Sequence, residues 1–482
     1  MMRRALASVG ALVLASATSC SRAVPEAPPL PEALVVVDTD LPVPLVASRL
    51  RVDLFSRDGT WFDSADFGRP DPRDWPASFS VYSEDESRER EVWVRLRIYP
   101  EGAVDSYRGK AKLVRDGIDV TPATEPSPAM TVDRLLLVPL RPQTRGRVRA
   151  LLTGACVGSS SLGAEGAPRP GAASCVATTG EVSEVAVAAL EDDMSRPTTT
   201  AAGTWLAKPC PPDDGTSKRV CIPGGATILG SRENSDYTPT ATNQLDPSPP
   251  RVFGLSPFEI DRDEVTVGEV VTIADSGYSG ALPIVNDAPL AAPVANSQTG
   301  CTFSFNLKDR ADYPVTCVSR RAARAICQFR GGDLPTEAQW EHVATIAGHR
   351  AKTRYPWGPE TPTCDRAVYG RVPLERAKAE CPGDTTVPKI RTAPADVSAL
   401  GVHDLYGNVV EWMLDDAAPY TDARWQNAGL VDPKVEGDGP RGVIRGSSWL
   451  ADRTRPIFRI TLSDIEPRPI IGFRCAYPRG GR

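Results

Sequence analysis

The chain has 482 residues, enough for two or three domains, and a formal net charge of −6. With this negative balance no basic field suggests nucleic acid, and we expect no nucleic-acid partner. The chain has only 3 histidines (His342, His349 and His403) and no H-E-x-x-H motif, so few residues could bind zinc or serve histidine-based catalysis. The 39 Gly and 46 Pro residues favour turns, short strands and linkers over long helices.

Residues 1–20 have the layout of an export signal. Arg3 and Arg4 precede a small, apolar segment from Ala5 to Ala17 that is too short to span a membrane. Ala17-Thr18-Ser19-Cys20 is similar to a bacterial lipobox and predicts acylation of Cys20. The alternative is an ordinary secretory signal that is cut nearby. No other run of about 18 apolar residues follows, so we predict no further membrane span.

Residues 21–32 are rich in proline and predict an extended tether. Between residues 33 and 192, short apolar or alternating segments separated by polar turns predict an all-β sandwich. Its predicted strands cover residues 33–38, 50–55, 92–99, 135–140, 147–152 and 184–190. No acid pair, nucleophile or phosphate loop stands out in it, so we interpret it as a display or docking module. By composition, residues 193–215 are a linker.

Cysteine usage agrees with export. Without Cys20, 10 of the 11 cysteines remain, an even number that predicts disulfides in an oxidising compartment. Short spacings suggest four pairs, and Cys327 and Cys475 are the remainder, although the sequence alone does not fix the connectivity. Metal binding by the scattered cysteines is the less favoured interpretation. The four pairs are Cys156–Cys175, Cys210–Cys221, Cys301–Cys317 and Cys364–Cys381.

The C-terminal half, residues 216–478, predicts a mixed α+β domain. A short helix is predicted from Val270 to Asp275. Ser319 is placed to cap a second helix over residues 319–329, and Thr336 to cap a third over residues 336–344.

One stretch of this half, residues 401–412, combines two carboxylates with a tight turn. Gly407-Asn408 is a turn dipeptide, and the turn can bring Asp404 and Glu411 together. Carboxylate and freed carbonyl oxygens suit Ca²⁺, which takes about 6–8 oxygens. The alternative is a turn that only positions Trp412 in a core.

The segment Gly407 to Trp412 resembles the G-N-[AV]-W-E-W signature of the formylglycine-generating enzyme family, also called sulfatase-modifying factors. Four further segments agree with that family in the same order, over about residues 216–478. The resemblance implies a compact α+β variant of the C-type-lectin-like fold, and it supports pairing of Cys327 with Cys475. The four segments are 221–225 with 229–231, 258–266, 333–341 with 355–358, and 445–449 with 472–475.

In this family the oxidase converts a cysteine of a client sulfatase to formylglycine, with O₂ and a copper ion bound by two cysteines. Thiolates are the soft ligands that such a copper needs. The matching positions here are Ala451 and Pro456, so we expect no copper and no catalytic residue. A second disulfide of the family is also missing, because its halves match Ala344 and a position near Ile460.

The resemblance implies structural calcium. Asp404 and Glu411 would supply side-chain oxygens, and Gly407 and Val409 would supply carbonyls. A second family calcium site is not expected, because its match at Ala367-Val368 offers no side-chain oxygen.

These observations favour a lipoprotein of the bacterial cell envelope, on the outer membrane or the periplasmic face, with a non-catalytic binding or scaffold role. An envelope protein or a saccharide would bind in a groove built by loops 276–300 and 413–440, and the membrane would be reached through the lipid anchor. The alternative is a formylglycine-generating-type oxidase, or a related oxygen-dependent enzyme, with a displaced active site.

Overall fold

A computed structural model describes most of the chain and shows mostly β-strands with few helices, as the sequence predicts. No helix in this described part is both long and apolar enough to cross a membrane. The predicted signal peptide, the lipidation at Cys20 and nearly all of the predicted tether lie outside it. The described residues are 30–107, 113–162, 166–176, 178–195, 197–232, 244–290, 300–371, 380–381, 386–437, 439–450 and 456–479.

The described residues of the N-terminal half form two larger sheets, with strand orders β11-β1-β4 and β10-β5-β2-β3, and three small two-stranded ladders. Three short 3₁₀ helices connect some of the strands. The strands are β1 (Glu32–Thr39), β2 (Arg49–Ser56), β3 (Trp61–Gly68), β4 (Ala77–Tyr82), β5 (Arg90–Tyr99), β6 (Val104–Ser106), β7 (Val114–Arg115), β8 (Ile118–Asp119), β9 (Thr124–Pro126), β10 (Val132–Leu140), β11 (Arg145–Leu152), β12 (Ala173–Cys175) and β13 (Val182–Glu184).

Apolar side chains from both larger sheets pack into one core. Alternating residues of β1, such as Val35 and Val37, supply one wall, and residues of β5, such as Val94 and Leu96, supply the other. This alternation follows from the two-residue period of a strand, which sends successive side chains to opposite faces. The chain enters at the end of the sheet where Glu32 lies beside Arg145 and Tyr82.

The predicted strand over residues 184–190 is wrong. Only Val182–Glu184 form a strand there, and Val187 and Glu191 make single bridges to Leu137 and Arg147. The segment therefore contacts the edge strands β10 and β11 at single points and does not form a continuous strand, and Val187 is 44% exposed.

The C-terminal half contains a five-stranded sheet of order β16-β21-β20-β19-β22, a three-stranded sheet of order β14-β18-β23 and the pair β15-β17. Its strands are β14 (Arg219–Ile222), β15 (Gly225–Leu229), β16 (Gln244–Leu245), β17 (Arg251–Leu255), β18 (Phe258–Asp261), β19 (Val410–Asp416), β20 (Arg441–Arg445), β21 (Arg459–Ser463), β22 (Ile471–Gly472) and β23 (Ala476–Pro478). Its helices are α1 (Val267–Asp275), α2 (Arg320–Phe329), α3 (Glu337–Thr345) and α4 (Ala423–Gln426).

The predicted caps hold α2 and α3 in place. The Ser319 hydroxyl accepts from the backbone N–H of Ala322, and the Thr336 hydroxyl accepts from Gln339, whose side chain returns a bond to the N–H of Thr336. Such caps satisfy N–H groups that have no partner inside the helix. Helix α1 begins at Val267, earlier than predicted, because Thr266 and Glu269 form a capping box.

Helix α3 is fastened to the five-stranded sheet by fully buried ion pairs. The carboxylate of Glu337 lies 3.1 Å from the guanidinium of Arg445 and 2.6 Å from that of Arg459. Glu341 pairs with Arg445 and Lys352. Buried charges need such partners, so α3 is positioned by charge as well as by its apolar side chains.

The ten cysteines in the described part of the chain form five disulfides. The pairs are the ones that the sequence suggests: Cys156–Cys175, Cys210–Cys221, Cys301–Cys317, Cys327–Cys475 and Cys364–Cys381. Cys327–Cys475 joins α2 to the segment before β23 across 148 residues of chain.

The predicted linker, residues 193–215, packs against both halves in its described part. The backbone N–H of Trp205 donates to the carbonyl of Asp40, and the N–H of Lys208 donates to the carbonyl of Pro223. Trp205 is 8% exposed and belongs to the core of the N-terminal half. The connection therefore joins the two halves closely.

Candidate functional site

The turn before β19 places the predicted site residues in the interior of the C-terminal half. Asp404 and Asn408 have positive φ angles, 56° and 63°, which aspartate and asparagine tolerate better than most residues. Gly407 is required for space, because a Cβ there would lie 2.5 Å from the carbonyl oxygen of Val368. Asp404, Gly407 and Val409 thus lie in one buried turn, and Glu411 follows it in β19.

Glu411, one of the predicted calcium ligands, is held by a guanidinium. Arg474 Nε lies 2.9 Å and 2.8 Å from the two carboxylate oxygens, and Nη2 lies 2.6 Å from Oε1. The indole Nε1 of Trp340 donates to Oε2 at 2.8 Å. Glu411 is 1% exposed and Arg474 is 0% exposed. The charge of Glu411 is therefore already neutralised by Arg474.

Asp404 has no such cationic partner. Its Oδ2 accepts from the backbone N–H of Arg391 at 2.7 Å, and the residue is 2% exposed. Burial raises the pKa of Asp404 to about 7, and the nearby charges of Asp263 and Glu411 add to the rise. A buried carboxylate in this position favours a proton or a cation.

Two further buried carboxylates surround the turn. Glu264 accepts from the side-chain amide of Asn408 at 2.6 Å and from the N–H of Val409 at 3.1 Å. Asp396 accepts from the N–H of Gly407 at 2.8 Å. Burial raises the pKa of both carboxyls well above the ordinary value, and the charge of Asp404 contributes to each rise.

Glu264, Asp396, Asp404 and Glu411 form what we call the carboxylate group. Within the described residues, Arg474 is the one guanidinium that hydrogen-bonds to any of the four. The side-chain oxygen Oδ1 of Asn408 is also buried there without a hydrogen-bond partner. Excess negative charge and an unsatisfied hard oxygen are the environment that a Ca²⁺ ion would neutralise.

The side chains do not meet at one point. Among the described residues, no group of three or more His, Cys, Asp or Glu side chains is arranged to hold a metal. A site of two carboxylates completed by the carbonyls of Gly407 and Val409 does not need such a group. A cavity of about 230 Å³, lined in part by Asp263 and Glu264, reaches the carboxylate group.

The matched copper positions offer no thiol. Pro456 has no metal-binding side chain, and Ala451 lies outside the described residues. The segment that precedes them is held against the turn, since the N–H of Ser447 donates to the carbonyl of Tyr406 and that of Trp449 to Asn408. Every cysteine between residues 30 and 482 is in a disulfide.

The two loops expected to form one groove line two different cavities in the described part of the chain. Leu414, Asp432 and Lys434 line a cavity of about 570 Å³, together with Gln339 and Tyr477. The described part of the other loop, which includes Asp287 and Leu290, lines a cavity of about 400 Å³.

Sequence reasoning assigned no role to three charged residues of this site. Glu264 and Arg474 lie inside segments that carry the family resemblance, and Asp396 lies shortly before the turn. No local pattern marks these charges as buried, and Glu264 directly follows three other charged residues, 261–263. Their partners are distant in sequence, since 63 residues separate Arg474 from Glu411, so no local pattern reveals the contact.

Comparison with known proteins bears on residues 208–478. They match the family model described as "Sulfatase-modifying factor enzyme 1-like domain". The "Formylglycine-generating enzyme" of Streptomyces coelicolor is 29% identical over 298 residues, which cover 54% of this chain and 89% of the relative. This confirms the resemblance that the sequence motifs indicate.

Other relatives have different names. The "Hercynine oxygenase" of Mycolicibacterium thermoresistibile is 30% identical over 248 residues, 48% of this chain and 52% of that protein. The bovine "Inactive C-alpha-formylglycine-generating enzyme 2" is 32% identical over 182 residues, 36% of this chain and 53% of that protein. Among solved structures, PvdO from Pseudomonas aeruginosa is 21% identical with a TM-score of 0.39, covering 55% of this chain and 96% of its own.

Proposed function

Because the chain belongs to the sulfatase-modifying factor enzyme 1-like family through residues 208–478, we propose that this half is a non-catalytic member that binds a ligand or a protein partner. The observation that carries the proposal is the state of the thiols. All ten cysteines after Cys20 are in disulfides, and Ala451 and Pro456 stand where the family's copper ligands would be. A soft copper ion has no thiolate to bind there.

The test is copper retention together with peptide oxidation. The purified chain is loaded with Cu(I), desalted, and incubated with a peptide that carries a sulfatase-type cysteine. We expect no stoichiometric copper and no formylglycine by mass spectrometry, with the Streptomyces coelicolor enzyme as the active control. Conversion of the peptide cysteine would overturn the proposal.

The alternative is an oxidase or related oxygen-dependent enzyme with a displaced site. The names of the two enzyme relatives favour it. The side chains of this chain favour it less. His342 is buried in α3, and its pKa is lowered to about 4 by burial, with the charge of Lys352 adding to the effect. The same peptide assay separates the two proposals.

We also propose a structural Ca²⁺ at the turn. Asp404, with the carbonyls of Gly407 and Val409, would hold the ion, and Glu411 would complete the set while keeping its bond to Arg474. The ion would supply positive charge to the carboxylate group, whose members repel one another. The raised pKa of Asp404 and the unsatisfied oxygen of Asn408 support this assignment.

For the architecture, we propose a β-sandwich in the N-terminal half and a C-type-lectin-like arrangement in the C-terminal half. The first is supported by the common core of the two sheets. The second is supported by the family match, by the two capped helices and by the short strands around them.

The cellular setting that we propose is the bacterial envelope, with lipid attached at Cys20 and a protein or saccharide bound in the cavity beside Lys434. The lipobox-like residues 17–20 support the anchor. Cys20→Ala should move the protein from the membrane fraction to the soluble fraction. Unchanged fractionation would exclude the lipid anchor, and the proposal for the C-terminal half would not be affected.

A further inference from the structure

The indole of Trp205 lies between a glycine of the N-terminal half and a glycine of the C-terminal half. A Cβ on Gly154, just after β11, would lie 2.1 Å from Cδ2 of the indole. A Cβ on Gly254, in β17, would lie 2.7 Å from its Cη2 and 2.4 Å from Leu206 Cδ1. Neither glycine has a left-handed backbone conformation. Both are therefore needed because a side chain at either position would overlap the indole. Trp205 therefore fits both halves at once.

Apolar residues of the C-terminal half extend this contact. Ala226 and Ile228 from β15, Val252 from β17, and Ile346 after α3 belong to the same buried cluster as the N-terminal sheets. Each of the four is at most 8% exposed. Burial of this kind is the main stabilising contribution in folding and association. The β15-β17 pair is thus completed by the N-terminal half.

Polar contacts fix the orientation of the contact. Asp40, at the end of β1, accepts from the hydroxyl of Thr153 and from the N–H of Gly154, both at 2.7 Å. From the other half, Arg232 donates to the carbonyl of Val104 at 2.6 Å and to the carboxylate of Asp105 at 2.5 Å. The bonds of Asp40 lie within the N-terminal half and hold the backbone at Gly154, whereas the bonds of Arg232 cross between the halves and restrict rotation between them.

Trp205 and Gly154 lie at the end of the N-terminal sheets opposite the entry of the chain, because Trp205 bonds to Asp40 just after β1 and Gly154 follows β11. Strand β1 runs from Glu32 at the entry to Thr39 beside Leu152. At roughly 3.3 Å per residue this strand spans about 23 Å. We propose that the N-terminal half is a rigid spacer that docks on the β15-β17 pair through Trp205 and holds the C-terminal half at a fixed distance from residue 30. The proposal is independent of whether the C-terminal half is catalytic.

Cleavage of the chain tests the docking. Residues 211–218 are exposed and lie inside the loop closed by Cys210–Cys221. A protease site inserted between Pro211 and Pro212, with Cys210→Ser and Cys221→Ser, allows the chain to be cut with no covalent link left between the halves. We expect the two fragments to elute together in size-exclusion chromatography. Separate elution would overturn the proposal.

The role of Trp205 has its own test on the full, uncut chain. We expect Gly154→Ala to lower the melting temperature in the wild-type background and to lower it much less in a Trp205→Ala background, where the clash is absent. Gly68→Ala is the matched control, because a Cβ there meets nothing within 4 Å. If Gly154→Ala lowers the melting temperature no more than Gly68→Ala does, the indole does not fit closely against Gly154 and the proposed docking through Trp205 is wrong.

Discussion

Glu411→Gln distinguishes between two roles of Glu411, as the counter-ion of Arg474 and as a ligand of Ca²⁺. In the structure its carboxylate is occupied by the Arg474 guanidinium and the Trp340 indole. A glutamine keeps the size of the side chain but leaves the buried charge of Arg474 without a counter-ion. The substitution is therefore expected to lower the melting temperature both with and without calcium.

The size of this effect follows from burial. Glu411 and Arg474 are 1% and 0% exposed, so solvent does not screen the pair. Removal of one partner of a buried ion pair costs about 3–5 kcal/mol. For a domain of this size that corresponds to a fall in melting temperature of roughly 6–20 °C. The carbonyls of Asp261 and His403, which also accept from Arg474, place the expected value at the lower end.

Asp404→Gly is the companion variant for calcium. Glycine accepts the positive φ of 56° at this position, so the backbone of the turn is preserved while the carboxylate is removed. If Ca²⁺ binds here, wild-type protein gains about 2.7 kcal/mol at a hundredfold excess of Ca²⁺ over Kd. A chelator should remove this gain from the wild type and should change little in Asp404→Gly.

Thermal unfolding of the wild type and both variants, with Ca²⁺ and with chelator, gives the answer. We expect Glu411→Gln to melt well below the wild type in both buffers. Equal melting of Glu411→Gln and the wild type in chelator would refute the assignment of Glu411 to Arg474. A wild type that is insensitive to chelator would remove the calcium proposal.

Three further outcomes follow from buried groups. Burial and the charge of Glu337 raise the pKa of Asp415 from 3.8 to about 7. The Asp415 carboxyl therefore stabilises the folded state fully below pH about 4. This stabilisation, at most about 4 kcal/mol, is lost as the pH rises through about 7. Urea unfolding across this range should show the fall, and Asp415→Asn should reduce it. The part that remains comes from Asp404, Glu264 and Asp396, whose pKa values burial also raises. Replacing Cys327 and Cys475 together by serine opens a loop of 148 residues, which costs about 5 kcal/mol in the chain-entropy model and lowers the urea midpoint. Thr336→Ala removes the cap of α3, which costs about 1 kcal/mol and is measurable by the same unfolding curves.

Local patterns predicted much of the fold. The cap residues Ser319 and Thr336 fixed the starts of α2 and α3, because a side-chain acceptor placed before an apolar periodic segment is a local signal. The strands β1, β2 and β5 followed from apolar residues and alternation. Strand β3, with the sequence WFDSADFG, was missed, because its polar residues are typical of a loop and it is a strand only through pairing with β2.

The turn at the candidate site was predicted, and the contacts of its carboxylates were missed. The turn at Gly407-Asn408 follows from the two residue types, and calcium binding by Asp404 and Glu411 stays a prediction. The pairing of Glu411 with Arg474, and the addition of Glu264 to the group, depend on tertiary packing between segments far apart in the chain. The composition of residues 193–215 suggested a linker, whereas one tryptophan there, Trp205, is buried between the halves.

The fit of one indole between two glycines has a consequence for inheritance. Gly154, Trp205 and Gly254 belong to the N-terminal half, the connection and the C-terminal half, and a change at one of them is tolerated only with a matching change at another. An exchanged N-terminal half that carries any residue other than glycine at position 154 would clash with the indole. We therefore expect a change at one of these three positions to require a compensating change at another.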